Sequence, residues 1–190
     1  SLALLGYPDQ ARERAAVAIK LARTLGHPGS LVAALHAIAR SYCLLSEPDE
    51  VDRLITQAQV IIDGSEMSPY RDGMQKVLRG WVLAEAGKPE LGLVQADLAI
   101  EIWDRAALIV GWPVLYLLHT HCLRGLDRQD RGLDNMEMAL AMTASHTTYL
   151  RPELLRMRGV LLEEGGDIDA ACESFALAMA SARKMNAKTF

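Results

Sequence analysis

The chain has 190 residues, 51% apolar and 23% charged, with a mean hydropathy of +0.09, which is a globular and not a disordered composition. Lys and Arg total 20 against 24 Asp and Glu, and the net charge of −4 argues against a protein that coats nucleic acid and against a polybasic membrane anchor. The 27 Ala and 29 Leu far outnumber the 10 Val and 9 Ile, so helix formers dominate and strand formers are scarce.

The prolines set the rhythm of the chain. They are Pro8, Pro28, Pro48, Pro69, Pro89, Pro113 and Pro152, and the first five stand 20, 20, 21 and 20 residues apart. Proline is tolerated in the first turn of a helix and breaks one elsewhere. The spacing therefore predicts consecutive helices joined by short turns. In chain order these run over about 8–25, 29–45, 48–63, 68–86, 89–105, 112–125, 129–145, 150–164 and 168–186.

A longer period lies over this one. The turns that begin at Gly6, Ser46, Gly87, Asp127 and Gly166 correspond, at spacings of 40, 41, 40 and 39 residues. Twelve residues after each stands an alanine: Ala18, Ala58, Ala99, Ala139 and Ala178. Five after each stand Ala11, Val51, Gly92, Gly132 and Ala171, and seven before the later four stand Ala39, Gly80, Thr120 and Gly159. Small residues at fixed points let two helices approach closely.

This grammar resembles the tetratricopeptide repeat (TPR), at a period of about 40 residues instead of about 34. The resemblance implies an all-α, right-handed α-solenoid of antiparallel helix pairs with about 4.5 repeats, at approximately 1–27, 28–67, 68–111, 112–149 and 150–190. The stretches LGYPDQARERA (5–15), RGWVLAEAGKPELGL (79–93) and 159–188 also resemble the C-terminal repeats of large bacterial signalling proteins that carry a nucleotide cyclase or a STAND/AAA-type ATPase. Only five residues precede Gly6, so the first repeat lacks most of its first helix, and a piece of a longer protein is expected.

In such arrays the first helices line a concave surface. The resemblance then places His36, Arg40, Cys43, Met74, Trp81, Glu85, His121, Arg124, Arg156 and Glu163 on the inward side. Arginine forks suit carboxylates and phosphates, and tryptophan supplies a large anchor, so the expected partner is a protein or peptide, or another domain of the same parent chain. The plainer reading of each residue is a solvated helix position, with Trp81 as packing. Chaperone-binding members clamp a C-terminal carboxylate with Lys and Asn on first helices. The asparagines here, Asn135 and Asn186, fall on second helices, so a chaperone tail is not expected.

The apolar stretch from Trp103 through Leu118 reads as core between the third and fourth repeats, or as a docking patch for a second copy or a parent domain. His119 and His121, two apart on a helix, cannot face one ion. His119 and Cys122 alone do not make a four-ligand zinc site. Residues 163–169 lack calcium-loop spacing, Gly87-Lys88 lacks the phosphate-loop pattern, and no GxSxG is present. No catalysis, cofactor or metal is expected in this chain, although a parent protein would carry its own ATPase or cyclase. The alternative to a peptide-binding module is a sensor that takes a small effector in the groove. Cys43, Cys122 and Cys172, with no CxxC, suggest a reducing, cytoplasmic setting, and no apolar run is long enough for a bilayer span.

Overall fold

The computed structural model describes residues 2–3, 5–64, 68–108, 110–143 and 148–187. Among them the regular structure is entirely helical. In order it comprises α1 (Pro8–Thr24), α2 (Pro28–Cys43), α3 (Pro48–Ile62), α4 (Pro69–Glu85), α5 (Pro89–Arg105), α6 (Trp112–Arg124), α7 (Gln129–Thr143), α8 (Arg151–Glu164) and α9 (Ile168–Lys184). A short 3₁₀ turn, Thr148–Leu150, precedes α8. All seven prolines lie in a first turn, where the missing N–H has no helical acceptor to lose. The expected end of the seventh helix at 145 reaches into residues 144–147, which lie outside the described set, as does 188 in the last repeat.

The five corresponding turns share one backbone geometry. Gly6, Ser46, Gly87, Asp127 and Gly166 all take positive φ, at 76°, 54°, 72°, 54° and 86°. At each, the turn residue's N–H donates to the carbonyl three before it, and the next N–H donates to the carbonyl five before itself. Examples are Ser46 to Cys43 and Glu47 to Tyr42, both at 3.1 Å, and Gly166 to Glu163 (3.0 Å) and Asp167 to Leu162 (2.9 Å). This is the Schellman termination, which satisfies the last carbonyls of a helix and reverses the chain in few residues.

Each even helix packs most extensively on the odd helix that follows it: α2 on α3, α4 on α5, α6 on α7 and α8 on α9. The even helices also touch one another in order, α2 to α4, α4 to α6 and α6 to α8. The small positions sit at these contacts. Ala39, Thr120, Val51, Ala58, Ala99 and Ala139 are fully buried, and Gly80, Gly92, Gly132 and Gly159 are buried. Ala18 departs from the set and is exposed, on α1, which has no helix before it among the described residues.

One continuous core runs from Val32 to Leu161. Its centre is α6, where Pro113 through Thr120, Cys122 and Leu123 are all buried. The expectation of core in the stretch from Trp103 holds for Trp103 and for 114–118, while Val110 is exposed and residue 109 lies outside the described set. Trp103 is seated by absence of bulk: a β-carbon on Gly73 would fall 2.1 Å from its Nε1. Tyr70 stacks on Trp103 at 5.0 Å, Trp112 meets it edge-on at 5.8 Å, and Tyr116 lies 5.4 Å from Trp112. No described helix is long and apolar enough to cross a membrane.

Candidate functional site

The inward positions split into a buried set and an accessible set. Met74 and Trp81 are wholly buried, and His36 and Cys43 nearly so. Met74 and Trp81 do not line an open groove as the repeat analogy expected, because the apolar α6 packs against α4; His36 is turned to Gln75 of α4, and Cys43 lines a cavity described below. Arg40, Glu85, His121, Arg124, Arg156 and Glu163 remain partly or largely accessible.

Arg40, Trp81 and His121 occupy equivalent places, six residues before the turns of α2, α4 and α6. Trp81 and His121 meet edge to face, with centroids 6.2 Å apart and planes at 77°. The Trp81 Nε1 donor is buried without a hydrogen-bond partner. His121 Nδ1 lies 3.8 Å from Glu85 Oε1, beyond hydrogen-bond reach. Burial pushes His121 down to about 3, with Arg124 and Arg156 adding to the depression, so the ring is neutral at pH 7.

Two of the three groove arginines are already neutralised within the fold. Arg124 on α6 grips Glu164 at the end of α8, with Nε 2.8 and 2.9 Å from the two carboxylate oxygens and Nη2 at 2.7 Å. Arg156 holds Glu153 one turn earlier on its own helix at 2.7–2.8 Å. An incoming carboxylate would have to displace these. Arg40 has no carboxylate within ion-pair distance among the described residues, and its Nη1 donates to the Tyr70 hydroxyl at 3.2 Å. Glu163 is exposed beside Glu164.

The histidines of α6 serve different neighbours. His119 is buried, its Nε2 2.9 Å from Asp97 Oδ1 and its Nδ1 2.8 Å from Asn135 Nδ2. Asn135 also donates to Thr120 Oγ1 at 3.1 Å. The amide donates to Nδ1, so Nε2 carries the proton and donates to the carboxylate. The pair His119–Asp97 is thus a satisfied core link between α6 and α5, and His121 turns to Trp81 instead. His36 links α2 to α4: its Nε2 donates to Gln75 Oε1 at 2.7 Å, and Gln75 Nε2 donates to the Ile55 carbonyl of α3 at 2.9 Å, while His36 Nδ1 is buried without a partner among the described residues. Burial lowers both His36 and His119, and it raises the thiols of Cys43 and Cys122, the latter to about 12.

Sequence reasoning missed one feature. A cavity of about 410 Å³ opens between α1, α2, α6 and the 3₁₀ turn, with Arg40 on its wall. Its lining residues stand far apart in the chain and carry no motif, so only their apolar character signalled it.

No protein-family model matches the chain, and no curated protein matches it.

Proposed function

We propose that this chain is a TPR-like, right-handed solenoid of about four and a half helix pairs, and that it serves as a non-catalytic interaction module regulating a larger signalling protein. The observation that carries the reading is the fivefold recurrence of one Schellman turn at a period of about 40 residues, with small residues at the matching helix contacts. An attached ATPase or nucleotide cyclase would supply any chemistry. The accessible end of the even-helix face, around Arg40, is the place for an acidic partner segment, because its guanidinium is not already engaged by a carboxylate.

The test is affinity capture by the 190-residue chain beside Arg40→Glu and Arg156→Glu. A discrete protein retained by the parent and by Arg156→Glu, and lost with Arg40→Glu, supports the reading. An identical set on all three baits, or no specific protein on any, sinks it.

A second reading is favoured by the cavity: a sensor domain whose small effector biases an attached catalytic unit. It differs from the first in needing a compact pocket and not a long open groove.

A further inference from the structure

The cavity of about 410 Å³ falls within the range of about 300–1,000 Å³ that holds small organic ligands. Its walls are mainly apolar, with Ile38 from α2, Leu44 just after it, Val114, Leu117 and Leu118 from α6, and Leu150 from the 3₁₀ turn. Two cations also line it, Arg14 from α1 and Arg40 from α2, and no acidic side chain does so among the described residues. Neither Arg14 nor Arg40 has an ion pair among the described residues, whereas Arg79 and Arg124 each hold a carboxylate from a neighbouring helix. The Tyr70 hydroxyl takes one of the five Arg40 donors and leaves the others for a ligand.

We propose that this cavity is a binding site for a single-chain amphipathic anion of the fatty-acid type, its carboxylate held by Arg14 and Arg40 and its chain laid against α2 and α6. The proposal rests on the sensor reading and names its ligand class. An apolar ligand alone would make no use of the two guanidinium groups at the rim of the wall, and a compact anion alone would leave that wall wet. A headgroup and tail in one molecule answers both. The planar fork of arginine suits a carboxylate, and the ligand would tie α1 to α6, elements from distant parts of the chain.

The test is calorimetric titration of the 190-residue chain with decanoate, decanol and decyltrimethylammonium, each below its micelle concentration. Decanoate is expected to bind saturably at one site, and the cationic probe not at all. Arg14→Gln and Arg40→Gln are each expected to weaken binding by about tenfold, the loss of one charge-assisted contact, and decanol, which loses both, by more than either. Ala37→Trp, placed on the cavity wall from an exposed helix position, is expected to abolish it. Arg14 is exposed, so its variant reads binding without risk to the core. If decanol binds as tightly as decanoate, or both Gln variants bind at full strength, the anionic ligand class is wrong while a sensor remains. Binding unchanged in Ala37→Trp places the ligand elsewhere and overturns the site. Absence of binding by every probe removes the site and the sensor reading together.

Discussion

Gly80 of α4 and Gly92 of α5 meet backbone to backbone: a β-carbon on either would lie 2.6 Å from the carbonyl oxygen of the other. No side chain can swing aside there, because the atom met is main chain. Alanine at either site would gain up to about 1 kcal/mol in helix propensity. It must also push two axes apart, and overpacking of this kind costs about 1–3 kcal/mol or more. Gly80→Ala and Gly92→Ala are therefore expected to lower stability in urea unfolding, and the double variant to cost less than their sum, since one separation serves both. An unchanged midpoint for either single variant would contradict the close approach.

Ser46 and Asp127 occupy the left-handed turn position that glycine fills at 6, 87 and 166. Both are exposed, so a substitution there touches no core. Relief of the Cβ clash outweighs the entropy that glycine adds to the unfolded chain, and Ser46→Gly and Asp127→Gly are each expected to stabilise by about 0.5–1 kcal/mol. Gly87→Ser should do the reverse. Thermal melts of the three variants decide it.

Trp81 and Trp103 are both wholly buried but differ at the indole nitrogen. Trp103 Nε1 donates to the Tyr70 carbonyl at 3.3 Å, whereas Trp81 Nε1 has no partner. Phenylalanine removes the donor and keeps most of the apolar area. Trp81→Phe sheds an unsatisfied group and is expected to cost less than Trp103→Phe by about 1 kcal/mol. Trp81→Ala should cost about 3–5 kcal/mol through its cavity. Equal losses for the two Phe variants would show that the Trp81 donor is satisfied in solution.

Three histidines set a pH dependence. Burial lowers His36, His119 and His121 below the usual value of 6.5, His121 to about 3. The unfolded chain takes up these protons first, so stability is full above pH 6.5 and falls as the pH drops from there toward 3. Each histidine contributes a slope of up to about 1.4 kcal/mol per pH unit. Urea midpoints between pH 8 and pH 4 should decline below 6.5, and His121→Gln should flatten that decline. A midpoint constant from pH 7 to pH 5 would show that the rings are accessible to protons in the folded state.

Most helices were legible because seven of the nine described starts carry proline and several ends carry Gly or a residue that tolerates the left-handed turn, while α7 and α9 were placed by the 40-residue period. Both signals are local and need no knowledge of the packing. The pairing was legible for a related reason, since Gly80 and Gly92 mark where two helix axes come close, and Gly132 and Gly159 make room for Leu161 and Phe175. Accessibility was not legible. Whether Trp81 faces a groove depends on α6, and the apolar run of α6 looks the same in sequence whether it covers a neighbour or awaits a partner. Arg124 reads as a free cation until Glu164, 40 residues on, is placed against it. The cavity was hidden more deeply, since Arg14, Ile38, Leu117 and Leu150 share a wall only after the chain has folded.

The aromatic series Tyr70, Trp103, Trp112 and Tyr116 joins α4, α5 and α6 at the middle of the chain. Rings held this close at fixed angles couple their electronic transitions, so the junction acts as a built-in chromophore. Near-ultraviolet circular dichroism reads that joint together with buried Trp81 of α4, without a label, while far-ultraviolet signal reads every helix at once. Unfolding that starts at either end would leave the first signal intact while the second declines, whereas unfolding that starts at the joint would lose the first signal ahead of the second.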